Sequence, residues 1–269
     1  MKKEILDLIE LSKYSARHPD FVQGGGGNCS VKFAGEMAIK ASGFFLEDVN
    51  LDKGYVLINL KTNELTTKTD LKPSLETPIH CLLGNYVIHT HPILAGAMVC
   101  AKQGKKIFKD VFNESNYFWV KYSNPGVQLS KSVSNLIFSE NIDINKEFAL
   151  FLENHGIFVS TPSKESCIDH HENLIKKLDS FFKYKECNFN ESTKVLPQNE
   201  YLTPDHAVYY NLDKNNLSEK SKVAVNEVRI FIERASSLIK SNQMEIQYLS
   251  KNDVKFILNM EEEKYRQKI

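Results

Sequence analysis

Val87-Ile88-His89-Thr90-His91-Pro92 decides how this chain is read. Val87 to Thr90 has the β-branched, apolar character of a short strand, and side chains on a strand repeat on one face every two residues. His89 and His91 therefore point the same way and form a clamp that could hold a cation. The small apolar residues of Leu94 to Ala101 predict a helix directly behind it. A histidine pair in such a place can also be a hydrogen-bonded core or surface pair, so further ligands have to be sought in the chain.

Two other segments supply them. His155, in Glu153-Asn154-His155-Gly156-Ile157, lies between the β-like runs Ala149 to Leu152 and Gly156 to Val159. Glu76, in Pro73-Ser74-Leu75-Glu76-Thr77-Pro78-Ile79-His80, stands at the start of an expected helix over Thr77 to Leu83, where Pro78 fits the first turn. Three neutral imidazoles suit a zinc-like divalent cation and leave one coordination position open. A glutamate beside such a cation can be a fourth ligand, or a base once substrate displaces it. The competing reading makes Glu76 a first-turn carboxylate that offsets the helix dipole, worth about 0.3–1 kcal/mol. Spacing does not separate the two.

Farther out, Ile5, Leu8 and Ile9 mark one stripe of a helix over Lys3 to Arg17. Val31 to Phe33 and Met37 to Lys40 flank Ala34-Gly35-Glu36 as a hairpin, and Tyr55 to Leu60 reads as the next strand. Ser163 to Lys183 is a long amphipathic helix. Lys185 to Asn199 is a polar connector, and Lys222 to Ile239 and Asn252 to Tyr265 are further helices. Strands and helices mixed in this way predict one α/β domain over residues 1–195 with an extension over 196–269.

Composition excludes several function classes. The 34 Lys+Arg balance 34 Asp+Glu, which argues against nucleic acid or a membrane surface as the main partner. No run reaches the ~18 apolar residues of a membrane span, and Met1-Lys2-Lys3-Glu4-Ile5 followed by Asp7 and Glu10 does not read as a signal peptide. Five cysteines without metal-type spacing fit reduced thiols in a cytoplasm and exclude a cysteine zinc ribbon.

Gly24 to Ser30 could cradle an anion with its backbone amides, Asn28 and Ser30 adding side-chain donors; a flexible turn is the alternative, and the ending of a P-loop is missing. Ser42-Gly43 and Ser74 are turn residues or further donors. His80 falls on the Glu76 face of its helix, as a core histidine or a support for the site. His170-His171 and His18 read as surface or capping residues, His206 as a possible ligand contact, and Trp119 as core.

In this order, Gly-Gly-Asn28-Cys29-Ser30, Ala41-Ser42-Gly43, Pro73-Ser74-Leu75-Glu76, His89-Thr90-His91-Pro92 and Asn154-His155-Gly156 resemble the class II aldolase/adducin family over most of residues 1–185. Tyr201-Leu202-Thr203-Pro204-Asp205-His206 and Glu263-Lys264-Tyr265-Arg266 further resemble the aldolase portion of bifunctional rhamnulose-phosphate aldolase/dehydrogenase proteins, of which this chain looks like a stand-alone relative. The resemblance implies a single α/β/α layered domain with a central β-sheet and a helical C-terminal extension, in a homotetramer. It implies Zn2+ held by His89, His91 and His155, with Glu76 as acid/base or labile fourth ligand. Asn28, Ser42, Gly43 and Ser74 would line a phosphate pocket, with Ser30 as an added donor. The implied activity is aldol cleavage of a sugar or sugar phosphate through a metal-stabilised enediolate. Epimerisation at C4 and decarboxylation of an oxo-acid phosphate are alternatives at the same site, and an adducin-like interaction module is a third. A tyrosine from a neighbouring subunit could be the second acid, with Tyr117, Tyr201, Tyr209 and Tyr210 unranked. Leu75 and Cys29 depart from the usual hydroxyl-bearing pattern and weaken the case for phosphate.

Overall fold

The computed structural model describes residues 2–184, 199–212 and 217–261. Most of the expected connector and the Glu263-Lys264-Tyr265-Arg266 motif lie outside the described residues. The opening helix is α1 (Lys2–Ala16), followed by β1 (Asn28–Phe33), β2 (Glu36–Lys40) and β3 (Tyr55–Asn59). Then come α2 (Thr77–Leu82), β4 (Tyr86–Thr90), α3 (Ile93–Val99), α4 (Gly104–Val111), β5 (Tyr117–Val120) and α5 (Val127–Ser139). The strands β6 (Phe148–Leu152) and β7 (Ile157–Thr161) precede α6 (Lys164–Phe182), and α7 (Pro204–Tyr210), α8 (Glu219–Ser241) and α9 (Lys251–Asn259) form the helical extension.

The strands make one mixed sheet in the order β3-β2-β1-β4-β7-β6-β5. Every neighbouring pair is antiparallel except β5 with β6. In the middle, β4 pairs with β1 on one side, Asn28 opposite His89, and with β7 on the other, Phe158 opposite His89. Residues opposite one another across antiparallel strands share a face, so Asn28, His89 and Phe158 stand together.

Period-two alternation divides the strand residues between two cores. Val87, Leu150, Leu152 and Phe158 pack with Ile79 and Leu83 around α2 and with Leu129 and Val133 of α5. Cys29, Ile88, Ala149, Phe151, Ile157 and Val159 face the opposite way, against α1, α3, α4, α6 and α8. Helices thus cover both faces, giving three layers. The extension is part of this packing: Phe231, Ile232 and Leu238 of α8 belong to the larger core, and residues 245–247 run beside 100–102 through Lys102 N–H to Glu245 O at 2.9 Å and Gln247 N–H to Cys100 O at 2.7 Å.

Three helices, α4, α5 and α7, have no counterpart in the sequence reading. Gly104 and Phe108 are the buried positions of α4, with Ile107 and Val111 packed beside them, and Leu129 and Val133 are those of α5, continued by Leu136 and Ile137. Trp119, expected as core, is half-buried on the edge strand β5, where its indole N–H donates to Glu153 at 3.1 Å. Among the described residues no helix is long and apolar enough to cross a membrane.

Candidate active site

His89 comes from β4, and His91 lies one residue beyond the strand end. Alternation still brings them together: their Nε2 atoms are 3.0 Å apart. His155 arrives from the β6–β7 turn, where Asn154 adopts a left-handed φ of 52°. That turn fits only because Gly156 has no side chain; a Cβ there would stand 2.5 Å from the Thr90 carbonyl and 2.6 Å from the His91 ring. One ligand atom from each of His89, His91 and His155 lies within 4.8 Å of the others, and all three residues are buried. His89 is stacked on Phe158, ring centroids 4.1 Å apart, and its Nδ1 is 2.8 Å from the Ile157 carbonyl. That carbonyl can only accept, so it holds the proton on Nδ1 and leaves the Nε2 lone pair free.

Glu76, the N-cap residue of α2, closes the group. Its Oε2 is 3.2 Å from His89 Nε2 and its Oε1 3.3 Å from His155 Nε2. A buried chain aims this carboxylate: Ser30 Oγ meets His80 Nδ1 at 2.6 Å, His80 Nε2 meets Asn28 Oδ1, and Asn28 Nδ2 donates to Glu76 Oε2 at 2.8 Å and to Ser74 Oγ at 3.1 Å. Burial by itself would raise the Glu76 pKa, but positive charge gathered at the His89, His155 and His91 side of the site outweighs it and holds the carboxyl below its usual range. Burial lowers His155 and His80 to about 3, favouring their neutral forms.

This donor set fits a divalent cation. Glu76 Oε1 is buried with no hydrogen-bond partner among the described residues. Neutral nitrogens beside a charged oxygen are the ligands such a cation takes.

Beside the histidines opens a pocket lined by Asn28, Ser42, Gly43, Ser74 and Glu76. Lys40, unremarked in the sequence, is buried in the same wall, its ammonium 3.4 Å from the Gly25 carbonyl. Leu75 also lines the pocket. Several expectations are corrected. Ser30 does not reach the pocket, because it is fully buried with its hydroxyl on His80. The glycine loop does line the pocket, at Gly25, Gly26 and Gly27, but three of its amides are already engaged: Gly24 N–H donates to Glu227 at 2.7 Å, Gly25 N–H to Tyr209 Oη at 3.2 Å and Gly26 N–H to the Gln23 carbonyl at 3.0 Å. Cys29 points into the opposite core, so its departure from the family pattern costs the pocket no donor.

His170 and His171 are buried, not surface residues. His206 is buried too, with Nδ1 accepting the Leu202 N–H at 3.0 Å, and its neighbour Asp205 is the residue that reaches the pocket. Asp205 Oδ2 lies 3.0 Å from His91 Nδ1. Tyr117, Tyr201, Tyr209 and Tyr210 are absent from the pocket lining.

The fold and this constellation can be compared with known proteins. The model of the class II aldolase and adducin N-terminal domain matches residues 7–178. The chain belongs to the class II aldolase and adducin family. An uncharacterized oxidoreductase, YuxG of Bacillus subtilis (strain 168), is 31% identical over 112 residues, which are 41% of this chain and 15% of that protein's length. YgbL of Klebsiella pneumoniae, a putative aldolase/epimerase/decarboxylase, superposes with a TM-score of 0.54 at 15% identity, covering 95% of this chain and 98% of its own. An L-fuculose 1-phosphate aldolase gives 0.53 at 20% identity over 74% of this chain and 92% of its own. At these identities the solved structures speak for the fold alone. They share the layered sheet, and the class II aldolase fold continues here into the helices after residue 200.

Proposed function

We propose that this member of the family is a Zn2+-dependent aldolase that cleaves a carbon–carbon bond in a small phosphorylated sugar. The supporting observation is the carboxylate of Glu76, held by Asn28 and standing 3.2 and 3.3 Å from the Nε2 atoms of His89 and His155, at the base of a pocket with a buried lysine in its wall. In this reading His89, His91 and His155 hold the cation. When bound, it supplies Lewis-acid stabilisation of the negative charge that develops on a substrate oxygen. Retro-aldol cleavage requires a substrate hydroxyl to lose its proton as it becomes the aldehyde carbonyl. The electron pair of the broken bond passes to the other fragment, whose carbon then takes a proton. Glu76, a carboxylate at the start, is assigned to take the hydroxyl proton and return it to that carbon, so that no proton is gained or lost overall, and the amide of Asn28 keeps the carboxylate turned towards the imidazoles.

The ammonium of Lys40, the hydroxyls of Ser42 and Ser74 and the backbone at Gly43 suit the phosphate, pairing charge with several hydrogen-bond donors. Leu75 removes one hydroxyl from that wall without removing the cation. Residues 1–195 form the catalytic domain in this reading, and 196–269 its extension. The working form is a cytoplasmic homotetramer, in line with the family resemblance and with free cysteines at 29, 81, 100 and 167.

The test is incubation of the Zn2+-loaded protein with a panel of ketose 1-phosphates, following aldehyde and dihydroxyacetone phosphate. Release of both from at least one sugar is expected. Aldehyde from none would sink the aldolase reading, and an epimer or carbon dioxide in its place would move the assignment to the corresponding reaction.

A further inference from the structure

We infer that Asp205, carried by the helical extension, is the positioning residue of His91, which makes the extension a working part of the metal site. The inference rests on the metal-site reading above. An imidazole that binds a cation through one nitrogen carries its proton on the other, and a carboxylate or carbonyl facing that proton fixes the tautomer and the ring orientation. His89 shows the pattern with a backbone partner, Nδ1 against the Ile157 carbonyl at 2.8 Å. His91 has Nε2 turned to His89 and Nδ1 3.0 Å from Asp205 Oδ2.

The neighbourhood is shaped for that contact. The Asp205 side chain is only 11% exposed. Gly26 lies against the pair, and a Cβ there would stand 2.6 Å from Asp205 Oδ2 and 3.1 Å from His91 Nδ1, so any larger residue would push them apart. Asp205 is held in turn by its own segment. Thr203 caps α7 by accepting the His206 N–H at 3.2 Å, and Leu202 N–H donates to His206 Nδ1. The same segment reaches a second ligand, because the Leu202 carbonyl accepts from Asn154 Nδ2 at 2.9 Å, next to His155. One of the three histidines, and the turn that carries a second, are thus held by residues beyond the 7–178 stretch that matches the family model.

The experiment is titration of the full-length, metal-stripped protein with Zn2+ against a chromophoric chelator, with Co2+ absorption recorded in parallel, for wild type, Asp205→Asn and Asp205→Ala. Asp205→Ala is expected to weaken Zn2+ binding about 10- to 100-fold, the range for removing such a support, and to change the visible Co2+ bands. Asp205→Asn is expected to fall between the two, because its amide oxygen can still accept from His91 Nδ1–H; a purely structural role would not produce that graded rescue in the spectrum. Asp205→Ala binding Zn2+ within about twofold of wild type, with an unchanged Co2+ spectrum, would overturn the inference while leaving the metal site intact. Should the alanine variant not fold, Asp205→Asn decides: weaker binding supports the inference and wild-type binding refutes it. A wild type that binds neither ion refutes the metal-site reading itself, and this inference with it.

Discussion

The two faces of β4 both carry buried histidines, and only one of them is a site. On one face His89 meets His91, His155 and Glu76, with Nδ1 engaged by a carbonyl and Nε2 left for a ligand. On the other face Thr90, between the two histidines in sequence, presents Oγ1 to His171 Nε2 at 2.9 Å, while Tyr14 Oη lies 2.9 Å from His171 Nδ1. Burial lowers His155 and His171 alike to about 3. The difference lies in the nitrogens: both of His171 already have partners, whereas those of the metal-side histidines converge on a shared space with an orphaned carboxylate oxygen. A buried imidazole with both nitrogens occupied acts as a structural clasp, and one with a nitrogen in reserve is able to serve as a ligand.

That contrast can be broken first at its most reactive point. Glu76→Gln is expected to lower turnover by about 10²- to 10⁴-fold, the range for a general acid–base group, while Zn2+ still binds; metal analysis of the purified variant alongside the rate separates the two effects. Next comes His91→Ala, which should cost more than about 100-fold in Zn2+ affinity, beyond the range for a supporting residue. His171→Leu, on α6 at the other face of β4, should leave affinity within about threefold of wild type, well below that range. Equal losses in both variants would erase the distinction between the faces.

His171→Leu should instead act on stability. It takes the His171 ring from the hydroxyls of Tyr14 and Thr90, at about 1–3 kcal/mol for each buried group, so urea unfolding should show a loss of roughly 2–6 kcal/mol. The smallest effect is in pH. Burial holds His171 at about 3 in the folded protein against an ordinary value of 6.5, so between those limits the unfolded chain binds the extra proton and stability rises with pH. The contribution is fully present above about 6.5 and fades as pH falls towards 3. The stability gap between metal-free wild type and His171→Leu should therefore narrow across that window, and a gap that widens on acidification would contradict the buried neutral clasp.

Much of the metal side is legible along the chain. His89 and His91 are recognisable because period two survives one residue past the strand end, Glu76 because it stands at a helix start beside Pro78, and His155 because it separates two apolar runs. His171 is misread as a surface residue because its polar partners come from α1 and β4, remote in sequence, and its helix has polar neighbours. Lys40 passes unnoticed because a lysine ending an exposed-looking hairpin strand gives no local sign of burial. Asp205 is hidden behind His206: the segment attracts attention for its histidine, and the adjacent aspartate turns to the pocket.

By itself the sequence determined which residues share a face and which chemistry those residue types can support, because side-chain periodicity is a local property of strand and helix. Tertiary structure alone decided what stands opposite each of them. Whether a histidine nitrogen is free, whether a glycine amide is available to an anion, and whether a lysine or aspartate enters the pocket all depend on contacts between residues far apart in the chain. Glu227 and Tyr209 occupying the loop amides, and Asp205 reaching His91, are such contacts. No local pattern encodes them, because each is made only when the extension packs against the sheet.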